Sequence, residues 1–204
     1  LVFFQCDDSS TIPSKYIGKQ EWMSENLSVT NFRNGDPIKE AKTDDEWILA
    51  NKNKEAAWCY YNNDISNNAQ FGKLYNWYAV IDKRGLAPEG FHIASQNDWK
   101  ILADFLFPQA IVGFKMKSET GWKNNGAEDG NGSNNSGFNG FPGGCRGYTG
   151  EFRELGSTGF WWSSTVDNSE EDHAWLRILS YESRGLLEVS DKFGSGFSVR
   201  CVKD

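Results

Sequence analysis

Apolar and aromatic residues fall in short runs separated by clusters of Gly, Asn, Asp and Ser, and two stretches repeat them at helical spacing. The first opens at Thr43-Asp44-Asp45-Glu46. Thr43 can cap the unpaired amides of a first turn, Glu46 stands at the capping-box position, and the acids suit the positive end of the helix dipole. The pattern predicts a helix to about Lys52 that buries Trp47 and Ala50. The second opens at Ser95, with Asp98 three residues on. Trp99, Leu102, Phe105 and Leu106 recur at helical spacing until Pro108 ends it. Around these helices, Tyr16 to Leu27 predicts a strand and turn with Ile17, Trp22, Met23 and Leu27 inward. Trp58-Cys59-Tyr60-Tyr61 predicts a short aromatic strand stopped by Asn62-Asn63-Asp64, and Val112 to Met116 another short strand. Leu74 to Ile81 is apolar throughout, and its periodicity selects neither helix nor strand.

Asn124 to Gly140 holds six Asn and five Gly in seventeen residues, too many for a regular element. A loop of that length inside a domain is either ordered for a purpose or mobile. Beyond it, Phe160 to Ser163, Ala174 to Tyr181, Leu186 to Val189 and Phe197 to Val202 read as successive strands. Helices in the first half and strands in the second predict an α+β domain, with two helices flanking short twisted antiparallel sheets and long loops. The expected division is a tether over residues 1–15 and one domain over residues 16–204. Trp22, Trp47, Trp77, Trp99, Phe105, Trp162 and Trp175 are the expected core, each large ring bringing about 150–250 Å² of surface.

Composition narrows the partners. The net charge is −7, with Lys and Arg scattered rather than striped, which argues against nucleic acid. No apolar run reaches the ~20 residues of a spanning helix, so membrane contact would need a lipid anchor. The start, Leu1-Val2-Phe3-Phe4-Gln5-Cys6, resembles the stub of a bacterial lipoprotein signal with Cys6 as the lipidated residue. A leader remnant is the rival reading. Cys59, Cys145 and Cys201 match no metal-ligand spacing, and in an oxidising compartment one pair would bridge.

Particular blocks then become recognisable. Gln20-Glu21-Trp22-Met23-Ser24-Glu25-Asn26-Leu27, Trp58 to Asp64, Phe71 to Val80 and Ala87 to Ile93 followed by Ser95 to Trp99 resemble successive blocks of the Fibrobacter succinogenes major paralogous domain family. Ser136-Gly137-Phe138, Pro142 to Arg146, Trp161 to Thr165 and Ser198 to Asp204 continue the series. Phe91 and Ala94 depart from the family's usual Trp and Pro, and Ala87 from a Cys that many members carry. The resemblance implies a C-type-lectin-like fold and a surface-displayed or secreted protein, often lipid-anchored at the outer membrane, as in Bacteroidetes. With Ala87 in place of the usual Cys, it leaves Cys145 or Cys59 to bridge Cys201.

No constellation of catalytic groups can be argued. His92 lies between Phe91 and Ile93 and reads as a hydrogen-bonded core residue, and His173 follows an acidic loop. Formylglycine-generating relatives of the fold would need paired reactive cysteines with copper, a role that only Cys145 and Cys201 could fill here. No cofactor is expected, apart from a structural calcium ion for which Asp129 and Asn131 are the candidate ligands. The expected function is non-catalytic recognition of an extracellular protein or glycan by the loop face, through Trp161, Asp167, Asn168, Tyr181 and Arg184. A structural subunit of an outer-membrane complex and an oxidase are the rivals.

Overall fold

The computed structural model describes residues 12–126 and 128–204. Cys6 and most of the expected tether therefore lie outside the described residues. The first strand among the described residues, β1, is Ser14–Ile17. There follow β2 (Gln20–Met23), β3 (Lys39–Glu40), α1 (Asp44–Lys52), β4 (Ala57–Cys59), α2 (Asn68–Phe71), β5 (Leu74–Tyr75) and α3 (Trp77–Val80). Then come β6 (Phe91–Ile93), α4 (Gln96–Phe105), α5 (Val112–Met116), β7 (Gly143–Arg146), β8 (Phe152–Leu155) and β9 (Thr158–Val166). The chain closes with β10 (His173–Ser180), β11 (Leu187–Lys192) and β12 (Cys201–Lys203). The fold is mixed α/β, mostly sheet with a few short helices.

Both expected caps form. Thr43 Oγ1 accepts from Glu46 N while the Glu46 carboxylate accepts from Thr43 N. Ser95 and Asp98 make the same reciprocal pair at α4. Leu74 to Ile81 divides at Asn76, which ends β5 and caps α3 by accepting from Ala79 N. That split explains why one period cannot fit the segment. The strand expected at Val112 to Met116 is instead helix α5. In so short a run, Val112 and Met116 suit a strand face or one turn of helix equally, and it is their burial on a single helical face that decides.

Three sheets carry the domain, in the orders β1-β2-β12-β6, β11-β10-β9-β7-β8 and β3-β4-β5. The pairs are antiparallel except β3 with β4 and β7 with β9. The five-stranded sheet is covered on both faces. Trp162, Leu176 and Ala174 point into one cluster with Trp77, Trp58 and Phe197. Trp161 and Leu179 point the other way, into a cluster with Trp22, Trp99 and Phe138. A third cluster packs α1 through Trp47 against Leu74 and Cys59.

The expected core needs three corrections. Phe105 is 60% exposed, because Trp99, Leu102 and Leu106 take the inner face of α4 and Phe105 falls on its outer side. Trp175 is only half-buried. His92 is not a core residue. Phe91 and Ile93 take the inner face of β6, and alternation turns His92 outward, where its ring sits between Asp98 Oδ2 at 3.2 Å and Asp204 Oδ1 at 2.8 Å.

The long polar loop is ordered by the chain itself. Lys117 is buried, and its Nζ donates to Gly130 O at 2.7 Å and to Ser180 O and Ser183 O at 3.1 Å. Burial and the nearby Arg184 push its pKa down to about 8, which leaves it an ammonium at neutral pH. Gly130 admits no side chain, since a Cβ there would stand 1.9 Å from Lys123 O.

Candidate functional site

The residues expected to bind ligand do not converge. Trp161 is fully buried, and its Nε1 donates to Asn26 Oδ1 at 2.8 Å, so it cannot be a contact platform. The alternation that turns Trp161 away from Trp162 is real, but both faces of this sheet are core. Asp167 and Asn168 lie in the connection from β9 to β10, while Tyr181 and Arg184 lie in the turn from β10 to β11. The eight-residue strand β10 holds these two pairs on the order of 25 Å apart. Asp167 is buried and accepts from the hydroxyl and amide of Ser169. Bonds from Ser169 and Ser190 hold its carboxyl below the usual range, marking it as a turn-former. Asn168 is exposed. Tyr181 donates to Glu182 Oε1, and the Arg184 guanidinium lies 4.3 Å above the Phe114 ring.

The calcium candidates are likewise engaged with the chain. Asp129 Oδ1 accepts from Asn131 N and Nδ2, and Asn131 Oδ1 accepts from Trp122 N. Among the described residues no group of three or more His, Cys, Asp or Glu is placed to hold a metal ion. The expected bridge is not formed. Cys59, Cys145 and Cys201 are free and buried, and burial pushes each thiol up to about 12.

A different place has the character of a site. A groove of about 500 Å³ runs between α4 and the five-stranded sheet, lined by Gln96, Trp99 and Ala103 from the helix and by Arg177, Leu186 and Glu188 from the sheet side. Four buried side-chain polar atoms among the described residues have no hydrogen-bond partner. Two of them, Trp99 Nε1 and Gln96 Oε1, belong to this groove. One is a donor and the other an acceptor. A buried polar atom left unpaired costs on the order of 1–3 kcal/mol, and with Trp99 fully buried both atoms lie beneath the groove surface rather than on it.

Arg177 adds directed capacity. It is buried, its Nη2 pairs with Glu188 Oε2 at 2.6 Å, and its Nη1 makes one long contact of 3.3 Å to Leu176 O. A guanidinium carries five N–H donors, so this one is underused. Burial lowers its pKa, and the opposing charge of Glu188 raises it. The pair leaves the groove floor close to neutral, while Asn97, Lys100, Asp104 and Gln109 give it a polar rim.

By its spacing in the sequence Trp99 reads as core, which it is, while Gln96, Arg177 and Glu188 are not among the expected site residues. A signal existed for Arg177, the one charged residue in the apolar run Ala174 to Leu179. A charge buried in a central strand needs a partner or a purpose.

Short sheets, short helices and long ordered loops define a small mixed α/β domain that presents a polar groove rather than a deep pocket. The family model described as the Fibrobacter succinogenes major domain matches residues 16–203, and the chain belongs to that family. No curated protein and no solved structure matches it.

Proposed function

We propose that this chain is a non-catalytic recognition domain, C-type-lectin-like in fold, displayed at the cell surface or secreted, and that it binds a glycan in the groove between α4 and the five-stranded sheet. The underused Arg177 guanidinium and the side-chain amides around the groove carry this reading. A sugar hydroxyl both donates and accepts, so adjacent hydroxyls match the paired donor and acceptor of a side-chain amide. The amides of Gln96, Asn97 and Gln109 suit the same chemistry, and the Arg177–Glu188 pair can orient it without adding net charge. Lipid anchoring through Cys6 at the outer membrane agrees with a domain that meets its ligand outside the cell. Binding is read as cation-independent, since Asp129 and Asn131 serve the loop's own amides.

The oxidase reading has less support, because three thiols pushed up to about 12 supply no thiolate at neutral pH. The accessory-subunit reading has one observation in its favour. Ile101, Phe105 and Phe107 stand exposed along the outer side and end of α4.

A glycan array probed with the full chain and with Ala103→Trp tests the proposal. Ala103 is half-buried on the groove wall, so the indole would fill the groove without entering the core. The expected result is a set of glycans bound by the native chain and lost, at least tenfold in affinity, by a variant with an unchanged circular dichroism spectrum. Glycans retained by Ala103→Trp, or no glycan bound by either protein, would refute it.

A further inference from the structure

A second cleft, of about 610 Å³, opens between the 24–28 segment, α2 and the loop at Thr120, and shares no residue with the groove beside α4. Arg200 forms part of its floor. This guanidinium is 1% exposed, and no carboxylate oxygen among the described residues lies within 4 Å of it. Its bonds go to neutral acceptors. Nε donates to Asn26 Oδ1 at 2.7 Å, and Nη1 to Met23 O at 2.8 Å and Phe138 O at 2.7 Å. Nη2 makes one long contact, 3.3 Å to Asn139 O, and Asn139 itself lines the cleft. One of the five N–H donors is thus left over, and it is on Nη2.

A second buried cation, Lys73, lies behind Ser28 rather than in the cleft lining, with its Nζ 4.8 Å over the Trp58 ring and 5.1 Å over the Tyr60 ring. Lys73 is 3% exposed and donates from Nζ to Ser28 O at 2.7 Å and to the Ser28 hydroxyl, while Ser28 lines the cleft. It too has no carboxylate within 4 Å among the described residues. In a chain of net charge −7, Arg200 with no carboxylate within 4 Å gives the cleft floor a local positive field, to which Lys73 adds from behind Ser28. The cleft wall is otherwise neutral and rich in hydrogen-bonding groups. Ser24, Gln70 and Thr120 make no side-chain hydrogen bond among the described residues, and Phe141 supplies an apolar surface. Glu25, exposed at the mouth, is the only acid in the lining.

We infer that this cleft binds a sugar bearing a carboxylate, a hexuronate, with the carboxylate toward Arg200 and the ring hydroxyls on Ser24, Gln70 and Thr120. A carboxylate supplies the missing counter-charge and an acceptor for Nη2, and charge-assisted bonds to a guanidinium are about twice as strong as neutral ones. The hydroxyls match neutral donors and acceptors that are otherwise idle. A free phosphate or a simple carboxylic acid would use the charge and leave the wall unmatched.

Binding of glucuronate and galacturonate to the full chain, against glucose, galactose and acetate, tests the inference by saturation-transfer NMR and calorimetry. Arg200 is part of the scaffold, so the informative variants lie on the rim. The hexuronates are expected to bind roughly tenfold or more tightly than the matched neutral sugars and than acetate. Glu25→Gln should tighten hexuronate binding by about threefold and Gln70→Glu weaken it by about threefold, with both effects shrinking at high salt. Ala103→Trp in the other groove should leave hexuronate binding unchanged, so this outcome separates from that of the glycan array. Equal affinity for neutral sugars, full affinity for acetate alone, no binding of any probe, or rim variants without effect would each overturn it.

Discussion

Replacing Trp161 or Trp162 by Ala is expected to destabilise the domain by about 3–5 kcal/mol in either case, the range for large rings removed from a core. The two residues are neighbours in β9, and on a sheet with one wet face only one of them could matter so much. Here each enters its own cluster. Trp162 meets Phe197 at 4.5 Å between ring centroids and donates to Tyr75 O, while Trp161 meets Phe138 at 5.5 Å and donates to Asn26 Oδ1. Each substitution therefore opens a cavity and removes one hydrogen bond, while Asn26 Oδ1 keeps its bond from Arg200 Nε and Tyr75 O its bond from Phe197 N. Because the clusters lie on opposite faces, the two losses should be close to additive in the double variant. Urea unfolding followed by tryptophan fluorescence measures this. A Trp161→Ala protein within about 1 kcal/mol of the native chain would mean that β9 has an open face after all.

Lys117→Met should cost on the order of 3 kcal/mol and release the polar loop. The carbonyls of Gly130, Ser180 and Ser183 converge on one ammonium, and an apolar side chain of similar length leaves all three without that donor. Two of them belong to the end and turn of β10, so the lysine ties the loop to the central sheet. Lys117→Arg should not restore the loss, because a planar fork cannot aim its N–H groups at three carbonyls placed around a point. Limited proteolysis reads the effect directly. Cleavage between residues 123 and 137 should be slow in the native chain and fast in both variants. Equal cleavage rates would show that the loop holds without the lysine.

Where local chemistry decides, the sequence was legible. The Thr43 and Ser95 caps fix the starts of α1 and α4 within the chain's own first turns, and both stand where the pattern put them. The richness of Asn and Gly between 124 and 140 denies any regular element there, and none stands among the described residues of that stretch. Failures came where distant partners decide. Phe105 fits the inner face of a helix by spacing alone, and only the placement of α4 against the β1–β2 hairpin and the five-stranded sheet shows which side is wet. Val112 to Met116 is too short for a period to speak. The site was the least legible part. Alternation along β9 says that Trp161 and Trp162 diverge but not that both faces are covered. The groove itself draws on Gln96 and Arg177, which lie on separate elements and meet only through the tertiary fold.

The side-chain amides of Gln96, Asn97 and Gln109 offer the most direct test of recognition through the groove that they line. The indole donors of Trp22, Trp58, Trp77, Trp122, Trp161 and Trp162 are by contrast already bonded within the chain. In a ¹H–¹⁵N spectrum, adding a glycan selected by the array should move the side-chain NH₂ signals of the three amides, with the six indole signals nearly still. Amide signals that stay in place under saturating glycan, while signals elsewhere move, would contradict the account.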